Sequence, residues 1–170
     1  MDRRQKKTRD AIFKAFTELL KKESYSRITV QEIIDMANVG RTTFYAHFET
    51  KDSLLRSLCA EIFEHVFSDD LTKEETHDFS EEHNARAIIT HILYHLQEHM
   101  DYLPSMLSGE SGEIFMNSFK AHLKELFSRT CELSSRTVPH DYMLNHMVCD
   151  FTESVRWWTL NKAYSQIGRA

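Results

Sequence analysis

Arg41, Thr42 and Thr43 stand together directly after the tripeptide Asn38-Val39-Gly40. Each can address a base edge: an Arg can give two parallel hydrogen bonds to a guanine, and a Thr offers a hydroxyl or a methyl. That chemistry needs a scaffold that carries the three side chains into the DNA major groove. Two short helices with a Gly in the turn supply one, the helix-turn-helix, whose second helix turns its N-terminal residues to the bases. Gly40 is expected to take the positive φ that a sharp crossing needs. The alternative is a plain helical corner. A second group is His91, His95 and His99, at i, i+4, i+8 on one helical face. Two imidazoles one turn apart can share a metal ion, but the third lies a turn further and no Cys pair or carboxylate nearby completes a site by spacing. These histidines are expected to form a polar face near a pocket or an interface, and no metal or other cofactor is expected.

The elements that must position these groups are all helical. Ile12, Phe13, Phe16, Leu19 and Leu20 repeat at helical spacing between Lys7 and Glu23. Ser24 to Arg27 breaks the pattern. Thr29 and Glu32 then stand at capping-box spacing, before a short helix through Ile33, Ile34 and Ala37. A second short helix follows from Arg41 to Phe48. After the break at Thr50-Lys51-Asp52, Leu54, Leu55, Leu58, Ile62 and Val66 outline a longer helix to Phe67. Ser68 to Glu82 is polar and acidic and reads as a loop or a frayed helix end. Helices are expected over Ala85–Met100, Tyr102–Leu107, Glu113–Cys131 and Asp141 to about Gln166. Ser108-Gly109-Glu110-Ser111-Gly112 reads as a linker and Leu133–Pro139 as a turn. The sum is an all-α protein of eight or nine helices, without repeats or low-complexity tracts.

The 170 residues suffice for a buried core without disulfides or metal. Four Gly and two Pro argue against many hairpins, and 41% hydrophobic with 28% charged residues argues against disorder. No apolar run is long enough for a membrane span, and no apolar stretch follows the charged N-terminus to make a signal peptide, so the expected place is the cytoplasm, away from membranes. Cys59, Cys131 and Cys149, distant and odd in number, read as reduced thiols. The net charge of −5 divides unevenly: residues 1–56 carry +4 and the remainder −9. A basic head on an acidic body points the head at a polyanion. The basic segment from Arg3 to Lys7 reads as a disordered arm that either follows phosphates or is simply solvated.

The stretch from Thr29-Val30-Gln31-Glu32-Ile33 through Val39-Gly40-Arg41-Thr42-Thr43-Phe44-Tyr45-Ala46-His47-Phe48-Glu49-Thr50-Lys51-Asp52-Ser53-Leu54-Leu55 resembles the DNA-binding domain of the TetR family of transcriptional regulators. The Phe-Tyr-x-His-Phe-x-x-Lys-x-x-Leu-Leu core is specific to that pattern, and the likeness covers about residues 8–58. Gly40 departs from it, standing where Ser is usual and offering no side-chain oxygen to the helix start. Thr43 departs as well, standing where Gly is usual. The resemblance implies a fold: an N-terminal three-helix DNA-binding domain with its helix-turn-helix over 1–51, then a helical effector-binding and dimerisation domain over 52–170. It also implies roles. Arg41, Thr42 and Thr43 face bases. Tyr45, His47, Lys51 and Thr29 reach phosphates. For Tyr45 the alternative is a half-buried ring, for His47 surface packing, and for Thr29 a cap alone. Phe44 and Phe48 belong to the domain core.

The body is less explicit. Leu144, Val148, Phe151, Val155 and Trp158 recur at spacings of four and three on the last helix. With Glu113–Cys131, that helix is expected to form the four-helix bundle of a homodimer, as the resemblance implies. The same stripe could instead pack inside its own subunit. Trp157 and Trp158 point about 100° apart and are expected to enter different environments. An apolar pocket for an unknown small-molecule effector is expected among Phe63, Phe67, Tyr94, Met106, Phe115 and Phe119, with Met100 and Tyr102 as further candidates; a Met and aromatic stripe of this kind is otherwise plain core. No nucleophile elbow, phosphate loop or spaced carboxylate pair stands out, so no enzyme is expected. The function expected is a DNA-binding regulator, a ligand-responsive repressor that binds a palindromic double-stranded operator as a dimer. The alternative is a co-activator of the same fold that works by docking a protein partner.

Overall fold

A computed structural model describes residues 3–67, 85–130 and 137–161. Within them lie eight helices and no strand: α1 (Arg3–Leu20), α2 (Val30–Ala37), α3 (Arg41–His47), α4 (Lys51–Val66), α5 (Ala85–Glu98), α6 (Leu103–Leu107), α7 (Glu110–Thr130) and α8 (His140–Leu160). The all-α expectation therefore holds. The readings for Ser68–Glu82, for Cys131, for most of the turn before Pro139 and for the last helix beyond Asn161 lie outside the described residues. The chain divides into two compact units, one of residues 1–60 with 101–115, the other of residues 61–100 with 116–170. The expected boundary at residue 51 falls inside the first of these. None of the helices described is long and apolar enough to cross a membrane.

In the first unit α1 begins four residues earlier than expected, so Arg3 to Lys7 are helical and not a loose arm. Arg, Lys and Gln are good helix formers, which explains the extension. Ile12, Phe13, Ala15, Phe16, Leu19 and Leu20 form its buried face, closed by Ile33 and Ile34 of α2 and Phe44 of α3. Phe13 meets Phe48 with ring centroids 5.6 Å apart. Cys59 of α4 is fully buried, and burial pushes its thiol up to about 12. Lys21 reaches both Glu18 and Asp101 at 2.8 Å, so α1 also holds the segment that leads to α6. Of the expected linker at 108–112, Ser108 and Gly109 do form the break, while residues 110–112 already belong to α7. Gly112 belongs there because a Cβ would collide with the Leu107 carbonyl oxygen.

The second unit is built on longer amphipathic helices. Phe63, Ile92, Leu96, Met116, Phe119, Leu123 and Phe127 are buried in it. On α8 the buried residues are Leu144, Val148, Thr152, Val155, Trp158 and Thr159. Leu144, Val148, Val155 and Trp158, four of the five positions of the stripe read from the sequence, are thus buried within the single chain. Phe151 is half-buried and lies 6.2 Å from the Phe119 and Phe127 rings of α7. The two tryptophans part as expected: Trp158 is 4% exposed and Trp157 51%.

Candidate nucleic-acid interface

The path to the recognition helix is set by caps. The Thr29 hydroxyl accepts from the Glu32 amide at 3.2 Å, and the Glu32 carboxylate accepts from the Thr29 amide and hydroxyl at 2.7 Å each. That is the capping box read from the sequence, and it starts α2. The bonds from Thr29, first its hydroxyl and then its amide, hold the Glu32 carboxyl below the usual carboxylate range. Thr29 is exposed, with its hydroxyl engaged in this cap.

The turn differs from the expectation. Asn38, not Gly40, takes the left-handed conformation, with φ 52° and ψ 48°. Its amide donates to the Asp35 and Ile34 carbonyls, closing α2. Asn tolerates this region better than other residues with a Cβ, so the turn needs no Gly there. Gly40 is extended (φ −75°, ψ 150°) and is the residue that starts α3. It gives no side-chain bond to the helix, and a Cβ there would meet only the Thr43 hydroxyl, at an ordinary 3.6 Å.

On α3 the side chains divide sharply. Phe44 is 0% exposed and Phe48 is buried, which anchors the helix. Arg41, Thr42 and Thr43 are all exposed at its N-terminal end. Tyr45 is 44% exposed and stands edge-on to Phe44 at 5.5 Å. His47 is half-buried, its ring 6.1 Å from Phe48. One helix thus exposes four polar or amphipathic side chains, Arg41, Thr42, Thr43 and Tyr45, and keeps a fifth, His47, half-buried, while Phe44 and the capping Phe48 anchor it.

Lys51 opens α4 and has structural work. Its ammonium donates to the Tyr25 carbonyl at 2.8 Å and the Ile28 carbonyl at 2.7 Å, and lies 4.2 Å from the centre of the Tyr25 ring. Tyr25 in turn donates its hydroxyl to Asp52. Burial lowers the Lys51 ammonium and raises the Tyr25 phenol, the latter with help from Asp52. This clamp fixes the connection between α1 and α2. Thr50 and Ser53 cap α4 reciprocally at 3.0 Å, which is why the sequence breaks there. The resemblance gives no sign of the clamp, because its carbonyl acceptors are backbone and carry no sequence signature.

Arg9 and Ser57, given no role by the sequence reading, stand beside His47. A notch of about 270 Å³ is lined by Gln5 and Arg9 of α1, Ala46, His47 and Phe48 at the end of α3, and Ser57 of α4. The Arg9 guanidinium lies 5.0 Å from the centre of the Phe13 ring. The signal that could have revealed it is its register, since Arg9 sits four residues before Phe13 and continues that buried stripe outward.

Elsewhere, His91 and His95 are buried in the second unit with ring centroids 4.4 Å apart, and His95 Nδ1 lies 3.1 Å from the Glu98 carboxylate. His99 is half-buried. Among the described residues no three His, Cys, Asp or Glu side chains are grouped to hold a metal ion. Of the candidate pocket residues, Phe63 stacks on Phe119 at 5.4 Å, and Phe67 meets Phe119 at 6.1 Å. Tyr94 is half-buried in the same unit. Met106 and Phe115 are buried in the other one.

Residues 12–58 match the model of the bacterial regulatory proteins, tetR family. The HTH-type transcriptional regulator YxbF of Bacillus subtilis is 41% identical over 71 residues, 39% of this chain and 19% of that protein. An HTH-type transcriptional regulator of Haemophilus influenzae is 32% identical over 112 residues, 64% of this chain and 58% of that protein. The matches thus span less than two thirds of either relative's own length. The DhaS activator of the dhaKLM operon of Lactococcus lactis is 36% identical over 62 residues, 36% of this chain and 31% of that protein. Among solved structures, a TetR transcriptional regulator from Streptococcus agalactiae aligns with a TM-score of 0.70 at 32% identity, covering 98% of this chain and 96% of that one. A helix-turn-helix with an exposed Arg41-Thr42-Thr43 face, and a relative alike over nearly its whole length, lead to one conclusion: the chain belongs to the TetR family of transcriptional regulators.

Proposed function

We propose that this regulator is a ligand-responsive repressor that binds a palindromic operator as a homodimer. The observation that carries the reading is the division of α3, with Phe44 wholly buried and Arg41, Thr42, Thr43 and Tyr45 turned to solvent. In this reading Arg41, Thr42 and Thr43 read base edges, and Tyr45 and His47 meet phosphates. Thr29 and Lys51 contribute at the backbone while they hold the unit in shape.

One recognition helix covers only a few base pairs, so a two-fold dimer reading a palindrome follows. The surface that supports a dimer is the face of α8 left outside: Tyr142 (66% exposed), Trp157 and Leu160. Tyr142 and His146 stack in parallel there, with centroids 6.4 Å apart. The aromatic residues Phe63, Phe67, Tyr94 and Phe119 of the second unit are the proposed neighbourhood of the effector. An effector releases DNA only if it binds the released state more tightly than the bound one. A relative named as an operon activator supports a second reading, activation from the same fold.

The test is selection of bound sequences from a random duplex pool. A recovered palindrome whose affinity falls with salt supports the reading. Recovery of nothing by a folded, dimeric protein overturns it in favour of a co-activator that docks a protein. Arg41→Ala is expected to lose about 1–3 kcal/mol of discrimination between operator and mismatched duplex at unchanged melting temperature. Equal weakening on every sequence would make Arg41 a phosphate ligand instead.

A further inference from the structure

The notch beside His47 is a second place where this unit can hold nucleic acid, at the opposite end of α3 from Arg41. We propose that it seats one phosphodiester of the DNA backbone, with Arg9 supplying the charge and Gln5, His47 and Ser57 supplying hydrogen bonds. The proposal rests on the DNA-binding reading above and extends it to residues of α1 and α4.

Three observations carry it. The first is register. Phe13, Phe16 and Leu20 run along the buried face of α1. One turn before Phe13 that line meets Arg9, and one turn further Gln5. A position that would continue the core thus holds a cation, and its neighbour holds an amide. The second is anchoring. The guanidinium lies over the face of Phe13, and Phe13 packs on Phe48, which itself lines the notch. A planar cation held against a ring is pre-oriented, so less freedom is lost when it meets an anion. Its fork suits phosphate oxygens, and the amide of Gln5, the hydroxyl of Ser57 and an imidazole N–H all donate to them. The third is placement. Six residues separate Arg41 from His47, a rise of about 9 Å along α3. The major groove is about 12 Å wide, so a helix with its first residues on base edges brings its far end to the phosphates that border the groove. The exposed Arg3, Arg4, Lys6 and Lys7 of the same helix, with no acid in its first turn, add to the positive field at that end.

The experiment compares the full chain with Arg9→Gln, Arg9→Lys and Ser57→Asp. Affinity is measured for the selected operator and for a random duplex of equal length, at several salt concentrations, and the melting temperature of each variant is recorded. The expected result for Arg9→Gln is an affinity about tenfold lower on both duplexes. The slope of log K against log salt should shrink by about 0.9, as it does when one phosphate fewer is neutralised. Arg9→Lys should keep the slope, and the ratio between operator and random duplex should stay the same throughout. Ser57→Asp places a carboxylate in the notch and should weaken both duplexes alike. An Arg9→Gln protein that is folded and keeps the wild-type slope overturns the seat, as does a weakening confined to the operator. Should Arg9→Gln fail to fold, unchanged affinity in folded Ser57→Asp overturns it equally. If the wild-type protein binds no duplex at any salt, the DNA-binding reading itself falls and takes the seat with it.

Discussion

The two units use the same type of element in opposite ways. In the first, α2 and α3 have eight and seven residues, too short to be stable alone, and are held by punctuation: a capping box, a left-handed Asn38 and a lysine clamp. Their candidate functional side chains are exposed, apart from the half-buried His47, and only the anchors Phe44, Ile33 and Ile34 go fully inside. In the second, α8 and the greater part of α7, helices of 21 residues each, are held by burial along their length, and the residues singled out on them from the sequence are buried, Phe151 by half. The lesson is that type and spacing find a site where function lies on exposed residues of a locally determined motif. On a long amphipathic helix the same pattern marks whichever face is dry, and it does not say whose core keeps it dry.

The comparison can be broken from its burial side first. Phe119 is fully buried against Phe63, and Phe119→Ala is expected to cost about 3–5 kcal/mol in chemical denaturation. A cost below about 1 kcal/mol would mean that these rings enclose space and do not fill it. In the first unit, Lys51→Met leaves two backbone carbonyls without their ammonium and is expected to cost about 2 kcal/mol. If the salt slope for duplex binding also falls, Lys51 meets a phosphate besides its clamp.

Thr29→Ala removes the cap of α2 and is expected to cost about 1 kcal/mol at neutral pH. The sign of its pH dependence follows from Glu32, whose carboxyl is held low in the folded chain. Its contribution is complete above the ordinary carboxylate range and is lost as the pH falls through the lowered value. The gap between wild type and variant should therefore narrow on acidification, and a gap that widens would contradict the box. The smallest effect is expected at Gly40. Its extended backbone and open surroundings suit a serine, so Gly40→Ser should stabilise by a few tenths of a kcal/mol in thermal melts. Destabilisation would show that the start of α3 needs the bare glycine.

The legibility of the fold follows the same division. The Thr29–Glu32 box, the breaks at residues 24 and 50, and the periodic Phe and Leu positions signal α1 to α4 through local chemistry. The turn is misplaced by spacing because Asn38 and Gly40 both tolerate positive φ, and spacing alone does not say which takes it. The start of α7 is hidden because Ser-Gly-Glu-Ser-Gly has the composition of a loop, while the demand on Gly112 comes from the Leu107 carbonyl, a tertiary contact. Among the candidate site residues, Arg41 to Thr43 and Tyr45 are legible by type. Arg9 is not, because a basic run at the chain start reads as solvated until its helix shows which of the cations faces Phe13.

Cys59 has a use that its burial creates. Its thiol is sealed in the first unit and pushed up to about 12, so an alkylating reagent meets almost no thiolate and no path to it in the closed molecule. Modification of that one peptide, followed by mass spectrometry, then runs only through molecules that have opened, and its rate reports how often they do. The DNA-binding unit thereby carries its own clock, readable in the presence or absence of a duplex.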